Sequence, residues 1–451
     1  MTAPIENFRH NPGLLARIGE SLPTLGTRNL DLSVMLALLF FAFNIAQYWG
    51  NWAVDLSAYY YAGHFYDLGR FDQIYAGPPQ IIGPQMPAAW VAAVAQSGHA
   101  GEQTYPFIYL PWVAAVLAPI SRWFSPMTVM NAVVILNSAL MTASIFLAWR
   151  IVAPKRTPLW LWTLVSVALL LTSSTSVLAL SLGQVQILVF FLCLVAFERY
   201  RAGAFWLAGV ALAVAAAIKI TPAAFAIIFL WDRNWRALLG LAGTLALFAA
   251  FSLLVVGLPL HRQYFAIMDT LNNQIFIALL AYSVEGFAYQ VADLVQGTAQ
   301  VITTNEYIYA KPLWIELLAK GLFLGGLLFT WLATRRLAVE TRMPRQLLAL
   351  SILVPVTAPL GWVHYFLLTA YLLPALLDIL ESRLAVALIG GFGVLLGAQT
   401  MANMIWPGMR FMPTIMACVP FLLVLFATLL AFGRADARQP APRKGEFAPA
   451  A

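Results

Sequence analysis

Long apolar runs recur along the whole chain, and short polar segments separate them. Most of the runs approach the roughly 17 to 25 residues that a helix needs to cross the hydrocarbon core of a bilayer. None shows the regular alternation of apolar and polar positions that marks a membrane-spanning strand. The pattern therefore predicts an all-α polytopic membrane protein. The thirteen runs lie near residues 31–49, 107–123, 128–149, 158–178, 184–198, 203–218, 221–231, 237–257, 313–333, 346–360, 363–380, 384–402 and 411–432.

Positive charge gathers in a subset of the polar segments between these runs. Because Lys and Arg are retained on the cytoplasmic side of a membrane, we expect these segments and both termini to be cytoplasmic. This predicts a cytoplasmic N-terminal segment 1–30, a membrane core 31–432 and a disordered cytoplasmic tail 433–451, the last rich in Pro, Ala and charge. The clusters are Arg150/Lys155/Arg156, Arg199/Arg201, Arg233/Arg236, Arg335/Arg336/Arg342/Arg345 and Arg434/Arg438/Arg443/Lys444.

Parity requires one run not to cross, since thirteen crossings would leave the two termini on opposite sides. Two prolines, Pro111 and Pro119, interrupt the run 107–123. Proline removes a backbone donor from a helix, so we expect this run to dip into the membrane or lie at its surface. The prediction is about twelve transmembrane helices with a large first outer loop at about 50–127.

Composition excludes several classes of protein. Hydrophobic residues make up 61% of the chain and the mean hydropathy is +0.80, which leaves too little polar surface for a water-soluble globule. The formal charge of +7 sits largely in short loops, where it orients the chain, and we expect no nucleic-acid partner. Cys193 and Cys418 lie inside apolar runs and lack metal-site spacing.

The outer loop after the first run carries a carboxylate among aromatic residues. In the stretch WGNWAVDLSAYYYAGH, Asp55 follows Trp52 and precedes Tyr59. A carboxylate at the membrane boundary can act as a general base toward a hydroxyl nucleophile, and aromatic rings suit the flat face of a sugar. The alternative is a helix cap within an interfacial aromatic belt.

Two further polar residues interrupt apolar sequence on the same predicted side. Lys219 in AAAIKITPAAF precedes a proline break and can bind an anionic phosphate, or alternatively can extend to ordinary headgroups. His364 in PLGWVHYF can contact a phosphate or orient a base, and the alternative is a packing role. Arg262 in LPLHRQY is a weaker candidate for the phosphate.

Amides and aromatic residues complete the predicted substrate-binding set. Amide groups can hydrogen-bond sugar hydroxyls, although amides are common in loops for other reasons. The prolines of TYPFIYLPW also favour a bend as the role of that stretch. No glycine-rich nucleotide loop occurs, so a nucleotide-sugar mechanism has no evident site. The residues of this set are Gln184, Asn273, Gln274, Tyr59, Tyr105, Trp362 and Tyr365.

Taken in order, these segments resemble glycosyltransferase family 87. The resemblance rests on DLSAYYYAGHFYDLGRFDQIY, YPFIYLPWVAAVLAPI, LSLGQVQILVFF, AAAIKITPAAF, LNNQ and PLGWVHY, and it covers about residues 50 to 370. The family contains polytopic enzymes of the GT-C fold, among them polyprenyl-phosphate-mannose-dependent mannosyltransferases that act on phosphatidylinositol mannosides.

The resemblance implies a transferase that moves a sugar, mannose in the first instance, from a polyprenyl-phosphate donor to a hydroxyl of a glycolipid or glycan acceptor. It places the reaction on the outer face of the cytoplasmic membrane, in contact with membrane lipids. It assigns the catalytic base to Asp55, places His364 near it and gives Lys219 the phosphate. Because no Asp-x-Asp pair surrounds Asp55, it also implies an enzyme that needs no metal or other cofactor.

Other functions fit part of this pattern. A secondary transporter or lipid flippase would also have about twelve helices, but transporters commonly show repeated halves, and we find no internal repeat. A scaffold would not need polar residues concentrated on one side. Other branches of the GT-C fold, which glycosylate proteins or transfer aminoarabinose, remain open.

Overall fold

The computed structural model describes residues 27–76, 86–301, 306–404 and 408–433. These residues form helices joined by short turns and one two-stranded sheet. The predicted N-terminal segment and C-terminal tail lie almost wholly outside the described residues. The elements are α1 (Thr27–Tyr48), α2 (Val54–Asp67), α3 (Ala88–Gln96), α4 (Pro111–Trp123), α5 (Pro126–Val152), α6 (Leu159–Thr172), α7 (Ser174–Ser181), α8 (Gln186–Arg201), α9 (Phe205–Ile218), α10 (Ile227–Trp231), α11 (Trp235–Val256), α12 (Leu258–Asn272), β1 (Gln274–Ala278), α13 (Val284–Gln296), β2 (Glu306–Ala310), α14 (Leu313–Thr334), α15 (Val339–Thr357), α16 (Leu367–Leu372), α17 (Leu376–Ile379), α18 (Ser382–Leu395), α19 (Ala398–Asn403) and α20 (Pro413–Ala431), with short 3-10 turns at Phe71–Gln73, Thr221–Ala226, Val363–Phe366 and Leu373–Ala375.

Five of the described helices are long and apolar enough to cross a bilayer: α1, α5, α11, α14 and α20. They contain 19 to 27 residues, which matches the length that the hydrocarbon core requires. Little of α11 and α14 is buried within the protein, so their apolar side chains face outward. The chain is therefore a multi-pass membrane protein, as predicted.

Shorter apolar helices complete the interior, and some of the predicted runs are broken. The run 158–178 divides into α6 and α7 at Ser173, where the amide of Ser174 donates to the carbonyl of Leu396 at 2.7 Å. The run 363–380 divides into short helical pieces around Pro374. A broken run need not be one straight crossing, so the number of about twelve helices stays a prediction.

The doubtful run 107–123 contains α4, a helix of only 13 residues that includes Pro119. At 1.5 Å per residue such a helix is about 20 Å long, shorter than the hydrocarbon core of about 30 Å. It packs against α2, and Nε of Arg122 donates to Oδ1 of Asp67 at 2.9 Å. Both helices belong to the predicted first outer loop.

Two short strands, β1 and β2, form an antiparallel pair between α12 and α14, and the all-α prediction did not include it. We call this pair the hairpin, although α13 lies between its strands. Gln274 pairs with Ala310 and Ala278 pairs with Glu306. The strand sequences QIFIA and EYIYA are rich in the β-branched and aromatic residues that fit a half-buried sheet.

Backbone hydrogen bonds join the segment after β1 to the residues at the start of the 3-10 turn Val363–Phe366. The amide of Val363 donates to the carbonyl of Leu280 at 2.7 Å, and the amide of Tyr282 donates to the carbonyl of Gly361 at 2.8 Å. Gly361 has φ +50°, and a Cβ there would lie 2.8 Å from the amide nitrogen of Ser283. Glycine therefore permits this close approach, which holds the segment after β1 beside residues 361–366, called the late turn below.

Ion pairs and hydrogen bonds bring several of the basic segments together near the C-terminal end of α8. Arg150 pairs with Glu198 at 2.7 Å, and Arg342 pairs with Asp232. Oδ1 of Asp378 accepts hydrogen bonds from the backbone amides at 155 and 156. The start of α8 and the end of α9 lie at the opposite end of these helices, beside the pocket described next.

Candidate functional site

A pocket opens where the start of α2, the turn before α8, the end of α9 and the 3-10 turn Val363–Phe366 meet. Its empty volume, including the part open to solvent, is about 720 Å³. Seven of the eleven predicted site residues line it: Asp55, Tyr105, Gln184, Lys219, Trp362, His364 and Tyr365. The remaining lining residues are Pro106, Ile108, Tyr109, Leu178, Leu182, Leu280 and Glu306.

Asp55 lies in the first turn of α2, with its carboxylate in the pocket. Ala53 occupies the cap position of this helix and no side chain caps it. Nε2 of Gln184 donates a hydrogen bond to Oδ2 of Asp55. Burial raises the pKa of Asp55 to about 7, against the opposing effects of the Lys219 charge and the Gln184 hydrogen bond. A carboxyl with this pKa can exchange a proton near neutral pH.

The turn that carries Gln184 is built to approach α2 closely. Gly183 has φ +65°, and a Cβ there would lie 2.8 Å from Cβ of Leu56 and 2.9 Å from Cβ of Ala53. The amide of Leu56 also donates to the carbonyl of Leu182 at 3.2 Å. Oε1 of Gln184 is buried and has no hydrogen-bond partner among the described residues. The turn thus holds Nε2 of the Gln184 amide against Asp55.

Lys219 reaches the pocket because α9 ends immediately before it. Lys219 has an extended backbone, and Pro222 lies within the 3-10 turn that follows. The indole Nε1 of Trp112 donates to the carbonyl of Ala217 at 3.1 Å, near the end of α9. Nζ of Lys219 lies 4.2 Å from the ring centroid of Tyr365. This cation–π contact holds the ammonium inside the pocket.

The late turn supplies His364, Trp362 and Tyr365 to the same pocket. The His364 side chain is buried, and its ring lies 4.8 Å from the Tyr365 ring at an angle of 86°. The isolated backbone bridge between Ala281 and Trp362 fixes this turn against the segment that follows β1. The site therefore assembles residues from regions more than 300 positions apart.

Four predicted site residues do not line the pocket. Tyr59 is buried behind it, where its ring stacks on the Tyr109 ring at 4.1 Å between centroids. Asn273 is exposed, and its carbonyl accepts from the amide of Lys311 at 2.9 Å. Gln274 begins β1, and Arg262 is exposed on α12. Their predicted roles in substrate binding stay predictions.

Glu306 and Tyr109 were missed by the sequence analysis. Tyr109 stands in TYPFIYLPW, the same stretch that contains Tyr105, and only Tyr105 was selected. Glu306 begins β2 and lines the pocket, and partial burial raises its pKa. The alternating EYIYA that starts at Glu306 is a strand signal, but its position relative to Asp55 cannot be read from spacing.

The electrostatics of the pocket place opposite charges on different elements. Two carboxyl groups, those of Asp55 and Glu306, line it together with the amino group of Lys219. Burial lowers the pKa of Lys219 to about 7, against the opposing effect of the Asp55 charge. Burial, together with the charges of both carboxylates, raises the pKa of Tyr105 to about 12. Nowhere in the described ranges do three or more His, Cys, Asp or Glu side chains form a cluster suited to a metal ion. A base, a cation, an imidazole and an amide can together support transfer of a group from an anionic leaving group to a hydroxyl.

Comparison with known proteins agrees with this chemistry. The family model for glycosyltransferase family 87 matches residues 107–360, which include Gln184, Lys219 and Glu306. No match was found among curated proteins or among solved structures. The matched region is more than half of the chain and contains most of its helices, so this multi-pass membrane protein belongs to glycosyltransferase family 87.

Proposed function

We propose that the protein transfers a sugar, mannose in the first instance, from a polyprenyl-phosphate donor to a hydroxyl of a glycolipid or glycan acceptor. The observation that carries the proposal is that Asp55, Lys219 and His364 line one pocket. The sequence separates these residues widely, yet the resemblance gives them linked roles. Membership of a glycosyltransferase family favours this function over the transporter alternative.

The proposed reaction is a single displacement at the anomeric carbon. Asp55 accepts the proton of the acceptor hydroxyl while that oxygen forms the new glycosidic bond. The bond between the anomeric carbon and the phosphate oxygen breaks, and its electron pair leaves with the phosphate. Because no covalent sugar–enzyme species forms, the anomeric configuration inverts.

The leaving phosphate needs groups that stabilise its developing charge. Lys219 and His364 supply a cation and an imidazole on the same side of the pocket, where Tyr365 contacts both side chains. Gln184 donates a hydrogen bond to Asp55 through its Nε2, which favours the ionised form of the base.

A lipid-linked donor fits the surroundings of the pocket. Apolar side chains of Ile108, Leu178, Leu182 and Leu280 form part of the wall. Ile220, next to Lys219, is 72% exposed. An isoprenoid chain can lie along such surfaces without leaving the membrane, which would present the phosphate to Lys219.

We also propose that the pocket faces away from the cytoplasm, on the outer face of the cytoplasmic membrane. The pocket lies at one end of α8 and α9, and paired basic segments lie at the other end of α8. The retention of Lys and Arg on the cytoplasmic side supports this orientation.

The test is transfer by the purified protein in lipid nanodiscs, with polyprenyl-phosphate mannose and a panel of alkyl glycosides as acceptors. Asp55→Asn keeps the shape of the side chain and removes its basicity, so we expect kcat to fall by about 10²- to 10⁴-fold. Asp72→Asn is the matched control, because Asp72 is exposed in the same outer segment and does not line the pocket. Wild-type turnover by Asp55→Asn would show that another group is the base.

A metal requirement is tested in the same assay. We expect EDTA to leave the rate of transfer unchanged, because the proposed charge stabilisation comes from Lys219 and His364. Loss of activity that Mg²⁺ or Mn²⁺ restores would assign the protein to a metal-dependent mechanism.

A further inference from the structure

We infer that Glu306 binds the hydroxyls of the acceptor sugar, and that the acceptor is therefore uncharged around its reacting hydroxyl. This inference rests on the proposed function and deepens it, since it assigns a class of acceptor to the site. It starts from a residue on β2 that lines the pocket together with Asp55.

The position of Glu306 is fixed by the hairpin. Its strand partner is Ala278, and Leu280, two residues further along, lines the pocket beside Trp362. At the other end of β2, Lys311 makes a buried ion pair with Glu285, with Nζ 2.7 Å from Oε2. A carboxylate held in this way at the rim can select a ligand by geometry.

The charged side chains of the pocket favour different positions for the donor phosphate and the acceptor sugar. Lys219 is the cationic side chain among the described residues that line the pocket, so the donor phosphate belongs beside it. Glu306 repels a phosphate. A carboxylate accepts strong hydrogen bonds from sugar hydroxyls, which can donate two at once when they are adjacent.

The acceptor has to meet Asp55 and Glu306 together. Asp55, Glu306 and Tyr105 all line the same pocket. The rings of Tyr105 and Trp362 can pack on the apolar face of a sugar. An acceptor sugar in this position offers one hydroxyl to Asp55 and others to Glu306. A phosphate on that sugar would face like charge.

The experiment compares Glu306→Gln with the wild-type protein in lipid nanodiscs. The donor is polyprenyl-phosphate mannose, and the acceptors are octyl glycosides of mannose, glucose, galactose and arabinose together with octyl mannoside 6-phosphate. We expect the acceptor KM of Glu306→Gln to rise at least about tenfold, because a hydrogen bond to a charged group is lost. The donor KM and the rate of donor hydrolysis without acceptor should stay within about twofold, a change of less than half a kcal/mol.

A second readout separates recognition from folding. Removing a single hydroxyl from the best acceptor should weaken the wild-type reaction and leave Glu306→Gln less affected, because that bond is already lost. If Glu306→Gln fails to assemble, Glu306→Asp keeps the charge and should give a smaller rise in acceptor KM. Glu316→Gln is the matched control, since Glu316 is a partly exposed carboxylate on α14 that does not line the pocket.

The outcomes distinguish the two proposals. A wild-type protein that neither transfers nor hydrolyses the polyprenyl-phosphate sugar overturns the proposed function. A wild-type protein that hydrolyses the donor, but uses none of the uncharged glycosides or prefers the 6-phosphate, overturns the assignment of Glu306. Unchanged acceptor KM in Glu306→Gln, or a rise in donor KM instead, also overturns it.

Discussion

In the proposed mechanism, Asp55 has to be ionised before it can accept a proton from an incoming hydroxyl. Burial raises its pKa to about 7, so a large fraction of the carboxyl is protonated just below neutral pH. Burial also lowers the pKa of Lys219, the proposed phosphate-binding cation, to about 7. Since kcat/KM follows the fraction of free enzyme with Asp55 ionised and Lys219 protonated, we expect it to rise and then fall with pH, with a maximum near pH 7. The Asp55 carboxyl thus predicts a pH-dependent enzyme.

The hydrogen bond from Gln184 helps to set the pH at which kcat/KM rises. Its hydrogen bond favours the ionised form of Asp55, so Gln184→Leu should raise the pKa of Asp55. We expect the acid limb of kcat/KM to move to higher pH by about one to two units, the equivalent of one hydrogen bond to a charged group. The pH profile of the variant measures this shift.

The matched control is Gln186→Leu. Gln186 is buried two residues further along the chain and does not line the pocket. Its substitution should leave the acid limb in place. If Gln184→Leu lowered kcat equally at every pH, Gln184 would contribute to packing and not to the ionisation of Asp55.

At the scale of single residues, the sequence was informative where polarity was out of place. Asp55, Lys219 and His364 interrupt apolar or aromatic sequence. Burying ionisable groups costs free energy, so their presence there indicates a candidate functional site. Gln184 was predicted to bind the sugar, but the structure places its amide against Asp55, 129 residues away in the chain. Such a contact depends on the packing of helices, which spacing along the chain does not reveal.

At the scale of elements, the hairpin was the least predictable part. The lengths of the apolar runs predicted many of the helices, although not α2, α3, α12 or α13. The strands β1 and β2 are short and lie more than 25 residues apart with α13 between them. The pairing depends on tertiary contacts, notably those that join Leu280 to Val363 and Lys311 to Glu285. Sequence periodicity alone therefore could not place Glu306 in the pocket.

The ion pair of Lys311 with Glu285 anchors the hairpin to α13. Both side chains are only 4% exposed, and Nζ lies 2.7 Å from Oε2. Lys311→Met leaves a buried carboxylate without its cation, which costs about 3–5 kcal/mol in comparable buried pairs. We expect a lower thermal unfolding temperature and a higher acceptor KM, because the hairpin also carries Glu306.

The loss of stability in Lys311→Met should depend on pH. Burial already raises the pKa of Glu285 and Lys311 opposes that rise, so the pKa rises further in Lys311→Met. An acid with a raised pKa in the folded state binds its proton more tightly there, so the variant is most stable at low pH. Its deficit relative to wild type should grow as pH rises from the already raised pKa of Glu285 in the folded wild type to the still higher pKa of Glu285 in the variant.

Two further variants test this explanation. Lys311→Met combined with Glu285→Gln removes the buried charge as well and should be more stable than Lys311→Met alone. Lys320→Met breaks the exposed pair with Glu316 on α14, which water screens, and should change the unfolding temperature little. A double variant no more stable than Lys311→Met would show that the deficit comes from lost packing.

At the scale of the whole molecule, the distribution of charge was the most useful sequence signal. The basic clusters were predicted to share one side, and several of them meet around Glu198, Asp232 and Asp378. The number of crossings was less accessible, because Ser173 and Pro374 break runs that composition alone treats as continuous. The length of an apolar run identifies membrane sequence but does not show where the helical hydrogen bonding is interrupted.

The orientation of the molecule can be tested with single cysteines, because Cys193 and Cys418 are both fully buried. Asp72 and Lys155 are exposed, and the 27 residues of α5, a length of about 40 Å, lie between the segments that carry them. In intact cells, a membrane-impermeant maleimide should label Asp72→Cys and leave Lys155→Cys unlabelled until the membrane is permeabilised. The wild-type protein measures the background, and retained transfer activity shows that each variant is folded. Labelling of Lys155→Cys alone in intact cells would place the pocket on the cytoplasmic side, where the proposed polyprenyl-phosphate donor would have to be presented from the opposite leaflet.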